Sequence, residues 1–70
     1  MLTDLQMLQE LQDGEVCYLN WFEESGGEVE RHGDIYFLSE IPQYGGEPRP
    51  YGKFNVDQFD EIIKIVSEWT

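Results

Sequence analysis

The stretch EVERHGDIYFL, residues 28–38, decides the fold. Strand-forming residues lie on both sides of Gly33-Asp34, a dipeptide that suits a two-residue hairpin loop. Such a loop pairs Val29 with Leu38, and the side chains of the paired strands alternate between the two faces of the sheet. The sequence therefore predicts an antiparallel hairpin in the middle of the chain.

Further strand-like segments lie on both sides of this hairpin. Residues 15–22 are rich in aromatic and β-branched side chains, and Ser25-Gly26-Gly27 has the composition of a turn. After the strand at 35–41, residues 42–50 form a loop with three prolines. The prediction is a three-stranded antiparallel sheet, or a four-stranded one if residues 51–54 return to it.

Amphipathic helices are predicted at both ends of the chain. Residues 4–12 follow a capping-box pattern, in which Thr3 is the N-cap and Gln6 follows three residues later. Asn55 and Gln58 repeat this pattern ahead of a run with helical spacing: Val56, Phe59, Ile62, Ile63, Val66 and Trp69. The predicted class is α+β, with the order α-β-β-β-(β)-α and the C-terminal helix packed on one face of the sheet.

The expected register assigns side chains to the two faces. A turn centred on Ser25-Gly26 pairs Phe22 with Val29 and Glu23 with Glu28. The face under the C-terminal helix then carries Cys17, Leu19, Trp21, Ile35, Phe37 and Ile41. The other face carries Val16, Tyr18, Asn20, Phe22, Val29, Arg31, Tyr36 and Leu38. This second face is too apolar for open water, so either the N-terminal helix or another chain covers it. In the second case a dimer face is expected at Tyr18, Phe22, Tyr36 and Leu38.

Negative charge is the strongest signal in the composition. Fifteen Asp and Glu residues against four Lys and Arg give a net charge of −11. Hydrophobic residues make up 40% of the chain, which is enough for a core, so the charge does not indicate disorder. The four cations are scattered, which argues against direct binding of nucleic acid or of a membrane surface: Arg31, Arg49, Lys53 and Lys64.

Length and cysteine content predict one small cytoplasmic domain over residues 1–70. The single cysteine, Cys17, cannot form an internal disulfide. The first residues contain neither a basic segment nor a long apolar run, so no signal peptide is expected.

Catalytic and metal-binding patterns are weak. The predicted register places Cys17 and His32 on the core side but several residues apart, so no nucleophile and base are expected to meet. One cysteine and one histidine are too few for a four-ligand zinc site, and no calcium-binding or phosphate-binding loop motif is present. We therefore predict no catalytic residue, no metal and no cofactor.

Two segments are candidate sites for a protein partner. The first is an acidic hairpin carrying Glu23, Glu24, Glu28, Glu30 and Asp34. Opposed glutamates destabilise a sheet, so their purpose is either to protect an exposed edge or to bind a basic partner. The second is the proline-rich loop, where Tyr44, Arg49 and Tyr51 are residue types that anchor interfaces. Alternatively, this loop is an ordinary connection with a tyrosine folded back on the sheet.

The leading hypothesis is a non-enzymatic protein-binding module. In its most specific form it is an acidic inhibitor or regulator that occupies a nucleic-acid-binding site on a partner, as small phage or mobile-element antagonists do. The alternative is a homodimer, or a subunit of a larger complex, that buries the predicted dimer face. A third hypothesis is a small-ligand binder that uses the aromatic side chains of the sheet.

Overall fold

The computed structural model describes residues 3–43 and 46–69. The helices are α1, Asp4–Glu10, and α2, Phe59–Ser67. The strands are β1, Val16–Phe22; β2, Ser25–His32; β3, Ile35–Ile41; and β4, Arg49–Asn55. They form one antiparallel sheet in the order β1-β2-β3-β4, so the predicted α+β architecture is confirmed, with four strands.

The predicted capping box holds the start of α1. The Thr3 hydroxyl oxygen accepts a hydrogen bond from the Gln6 N–H at 3.1 Å, and the Gln6 side-chain oxygen accepts one from the Thr3 N–H at 2.9 Å. The helix ends at Glu10, earlier than predicted, because Leu11 has an extended backbone. The Arg31 guanidinium donates to the Leu11 carbonyl at 2.7 Å, which satisfies one of the free acceptors at this helix end.

The predicted start of α2 is wrong. Asn55 is the last residue of β4, and the helix begins at Phe59 after the N-cap Gln58. The Gln58 side chain accepts a hydrogen bond from the Asn55 N–H at 2.8 Å, so this pair closes a turn before the helix. The apolar spacing still predicted the core correctly, because all six of its residues belong to the core or pack against it: Val56, Phe59, Ile62, Ile63, Val66 and Trp69.

Both helices lie on the same face of the sheet. One buried cluster contains Leu8 and Leu11 from the α1 end, together with Ile62 and Val66 of α2. Its four sheet residues are Leu19, Val29, Tyr36 and Leu38. The Tyr36 hydroxyl donates to the Leu8 carbonyl at 3.0 Å. The predicted second face is therefore divided. Its members Val29, Tyr36 and Leu38 lie beneath both helices, as one of the two predicted alternatives required, whereas Val16 and Tyr18 lie exposed on the opposite face.

The other face of the sheet has neither α1 nor α2 over it. We call it the open face, and it carries Val16, Tyr18, Trp21, Glu28, Glu30, His32, Phe37 and Lys53. Several of its apolar side chains are at least one-third exposed. The molecule thus has two layers, with one sheet face buried and one facing outward.

One of the two predicted turns is correct. The β2–β3 turn at Gly33-Asp34 is confirmed, and the pairing on either side of it is the predicted one. The β1–β2 turn is formed by Glu23 and Glu24 rather than by Ser25-Gly26, which belongs to β2. Glu23 therefore does not face Glu28 across the hairpin.

This different turn changes the predicted faces. Cys17 pairs with Val29, and Val29 pairs with Leu38, so all three lie beneath the helices. The expectation that Ile35 and Phe37 lie beneath α2 is wrong, since alternation along β3 places them on the other face from Leu38. Ile41 is buried, with 7% of its surface exposed, but it does not belong to the cluster beneath the helices. Tyr36 and Leu38 are only 2% and 1% exposed, so they cannot belong to a dimer face.

A bulge at Asn20 reverses the alternation near the end of β1. Asn20 has a left-handed φ of 49°, and the register with β2 shifts there. Its N–H donates to the Asp4 carboxylate and its side-chain amide donates to the Val66 carbonyl, both at 2.8 Å. Asn20 thus links β1 to both helices, and Trp21 emerges on the open face with its ring centroid 5.0 Å from that of Tyr18.

Gly27 allows α2 to lie close to the sheet. A Cβ atom at this position would be 2.6 Å from Val66 Cγ1, so we expect Gly27→Ala to lower the free energy of unfolding by about 1–3 kcal/mol in urea denaturation. Gly52→Ala is the matched control, because its Cβ would meet nothing closer than Phe54 at 3.8 Å. Equal losses in the two variants would contradict this packing of α2.

Candidate functional site: the open face of the sheet

Side chains of the open face form rows across the strands, because directly paired residues lie about 5 Å apart. One row contains Val16, Glu30, Phe37 and Lys53, and the next contains Tyr18, Glu28, Ser39 and Pro50. The two glutamates belong to the inner strand β2, two residues apart, which places their Cα atoms about 7 Å apart. Each carboxylate therefore has an apolar or aromatic neighbour on β1.

Aromatic rings dominate the exposed part of this face. Tyr18 is 47% exposed, Trp21 is 48% exposed and Phe37 is 37% exposed. The rings of Tyr18 and Trp21 meet edge to face, with an interplanar angle of 62°. Exposed apolar residues that are contiguous, rather than scattered singly, are typical of interaction surfaces.

Charge is distributed unevenly over the open face. Glu28 and Glu30 are half-buried, and the Glu30 carboxylate is hydrogen-bonded to His32 Nε2. The Lys53 ammonium lies 5.6 Å from the centroid of the Phe37 ring, a cation–π distance. The β1–β2 half of the face is thus aromatic and acidic, whereas the β3–β4 half carries a cation.

The residues of the predicted acidic hairpin occupy three different places. Glu23 and Glu24 form the turn at one end of β2, and Asp34 lies in the turn at its other end. Glu28 and Glu30 lie between them on the open face. Only these last two share a surface with the exposed aromatic side chains of the rows described above.

The turn glutamates are in an unfavourable backbone conformation. Glu23 and Glu24 have φ values of 52° and 64°, as the central residues of a type I′ turn do. Glycine and asparagine adopt this conformation readily, whereas other L-residues are strained by it. The fold therefore retains two exposed glutamates at positions where they lower its stability.

Replacing these glutamates is expected to stabilise the protein. We expect the double variant Glu23→Asn, Glu24→Gly to raise the free energy of unfolding by about 1–2 kcal/mol, measured by urea denaturation. The matched control, Glu23→Gln with Glu24→Gln, removes the same two charges and keeps the strained side chains. If the control stabilises the protein equally, the cost comes from repulsion between carboxylates and not from the backbone.

The predicted loop site is not brought to the open face as a unit. Tyr44 lies outside the described residues. Arg49 is exposed and lies opposite Glu40 in the β3–β4 register. It is the first residue of β4, which begins two residues earlier than predicted. Tyr51 is 55% exposed, and its ring packs against that of Trp69 at 5.3 Å, beyond the end of α2. A shallow groove of about 320 Å³ lies at the bulge between β3 and β4, lined by Phe37, Leu38, Ser39, Pro50, Tyr51, Gly52 and Lys53.

Cys17 and His32 do not form a nucleophile and base. Cys17 lies beneath the helices and His32 on the open face, so the expectation that both are on the core side is wrong. Burial, together with the nearby negative charge of Asp4, raises the pKa of Cys17 to about 11. The thiol is therefore protonated at neutral pH and is a poor nucleophile.

Within residues 3–43 and 46–69, no three His, Cys, Asp or Glu side chains are grouped in a way that could hold a metal ion. None of the helices in this part of the chain is long and apolar enough to cross a membrane.

The sequence predictions missed Trp21 and Phe37 as site residues. Strict alternation assigned both to the core, but the bulge at Asn20 and the changed β1 pairing place them outside. Asn20 was the available signal, because asparagine adopts left-handed backbone angles more readily than the aromatic and β-branched residues around it.

Comparisons with known proteins identified no relative. No protein-family model matches the chain, and no similar curated protein or solved structure was found. The geometry of the open face is therefore the basis for a functional proposal.

Proposed function

We propose that this protein is a non-enzymatic protein-binding module whose open face binds a basic site on a partner protein. One observation carries the proposal: the open face, which has neither α1 nor α2 over it, combines the exposed rings of Tyr18, Trp21 and Phe37 with the carboxylates of Glu28 and Glu30. The net charge of −11 supports a basic partner, since it attracts a cationic surface and repels an anionic one.

The two kinds of side chain have different roles in this interaction. Aromatic residues are enriched among the few side chains that supply most of the binding energy of an interface, and the three exposed rings are suited to that role. The carboxylates select a basic partner and accelerate the encounter. Two cations of the chain are already engaged internally: Arg31 donates to the Leu11 and Gly33 carbonyls, and Lys53 lies over Phe37.

A nucleic-acid-binding site is the kind of basic surface that we propose for the partner. Such sites collect Lys and Arg side chains to neutralise phosphates, and carboxylates on a small acidic domain are attracted to the same side chains. The protein would then act as an inhibitor or regulator that competes with nucleic acid. The single cysteine, Cys17, forms no disulfide within the chain, which fits a reducing cytoplasm as the proposed place of action.

Affinity capture with the immobilised protein tests this function. We expect basic proteins to be retained at about 50 mM salt, to be released as salt rises to about 500 mM, and to be displaced by double-stranded DNA. Trp21→Ala is expected to weaken binding of a recovered partner about tenfold, as loss of an anchoring ring does. Tyr51→Ala is the control, since it removes an exposed ring that packs against Trp69 and not against Tyr18 or Trp21. Retention that is independent of salt, or equally weakened in both variants, would contradict the proposal.

A homodimer formed through the open face is the second candidate function. The observation in its favour is that Lys53 and the two glutamates occupy opposite halves of one face, so a two-fold axis would place unlike charges together. Against it, each copy has a net charge of −11. We expect a monomer of 8.2 kDa in sedimentation experiments at micromolar concentration. A dimer that dissociates in Trp21→Ala would favour self-association through the open face instead.

A further inference from the structure

We propose that the β1–β2 half of the open face selects arginine over lysine in the basic partner. An arginine guanidinium would lie over Glu28 and Glu30 and stack against the Tyr18–Trp21 ring pair. This inference rests on the proposed function and specifies which cationic group the face recognises.

The spacing of the two carboxylates favours a guanidinium. Glu28 and Glu30 point to the same side of β2 from positions about 7 Å apart. A guanidinium is a planar fork with five N–H donors, so it can donate to both carboxylates from a position between them. A lysine ammonium is a compact, strongly hydrated point charge without a planar fork, so the spacing of the two carboxylates suits it less well.

The aromatic neighbours favour the same group. The Tyr18 side chain lies directly beside Glu28 in the cross-strand row. The centroid of the Trp21 ring lies 5.0 Å from that of the Tyr18 ring. Both rings are about half exposed, so a flat cation can stack on them while it donates to the carboxylates. Arginine gains from such stacking in addition to its charge, and lysine gains less because it has no planar surface.

Two further contacts locate the arginine at this half of the face. The Lys53 ammonium already lies over the Phe37 ring, and its positive charge repels a second cation from the β3–β4 side of the face. His32 is hydrogen-bonded to one oxygen of the Glu30 carboxylate. This contact orients the carboxylate and leaves its other oxygen for the arginine. Because Glu28 and Glu30 are half-buried, salt screens them less than the exposed carboxylates of α2.

Titration with two blocked hexapeptides, hexa-arginine and hexa-lysine, tests the inference. Both peptides have the same length and charge, so a general attraction to an acidic protein affects them alike. We expect hexa-arginine to bind at least about fivefold more tightly, measured from amide and indole N–H chemical shifts in NMR spectra. The largest shifts are expected at Tyr18, Trp21 and Glu28.

A pair of charge-matched variants separates the site from the overall charge. Glu28→Gln removes one carboxylate of the open face, and Glu61→Gln removes an exposed carboxylate of α2. We expect Glu28→Gln to bind the two peptides with about equal affinity and Glu61→Gln to keep the preference for hexa-arginine. Unchanged chemical shifts away from the substituted residue show that both variants fold.

The outcomes distinguish this inference from the proposed function. If both peptides bind the open face with equal affinity, arginine selection is wrong and the binding function stands. If both peptides shift only the resonances of α2, the open face is not the binding surface and both proposals fail.

Discussion

The placement of both helices on one face of a four-stranded sheet is the constraint on which the rest of the structure depends. Leu8, Ile62 and Val66 need apolar partners, and the sheet supplies them from a single side. Asn20 reinforces this arrangement, because its hydrogen bonds reach Asp4 at the start of α1 and Val66 in α2. Because α1 and α2 both lie on this side, the other side of the sheet has neither of them over it. The open face is thus a consequence of how the core is filled.

The open face is unusual for a surface that faces water. A solvated sheet face is ordinarily polar, yet this one has exposed rings at Tyr18, Trp21 and Phe37 beside half-buried glutamates. The strained turn at Glu23 and Glu24 adds a second cost in stability that does not serve the core. In a chain of 70 residues, whose stability is limited by its small core, these are the features on which the proposed binding function rests.

Much of the fold was predictable from local patterns, whereas the composition of the site was not. Gly33-Asp34 correctly predicted one turn because no other dipeptide nearby competes with it. Ser25-Gly26-Gly27 predicted the wrong turn because glycine occurs both in turns and at strand positions where another part of the chain lies too close for a Cβ atom. A Cβ at Gly26 would lie 2.7 Å from the Leu19 carbonyl oxygen, and one at Gly27 would meet Val66. Gly26 therefore permits close contact of β2 with β1, and Gly27 permits close contact of β2 with α2. The site residues depended on this register and were therefore assigned to the wrong faces.

The sequence by itself determined the α+β class, the capping of α1, the apolar stripe of α2 and the excess of negative charge, because each follows from neighbours along the chain. Tertiary structure alone decided which sheet face is buried and which side chains meet on the open one. The physical reason is the two-residue period of a strand: a bulge at Asn20 or a shifted turn moves every following side chain to the other face. The packing of Gly27 against α2 and the contacts of Asn20 with both helices favour the register that the protein adopts.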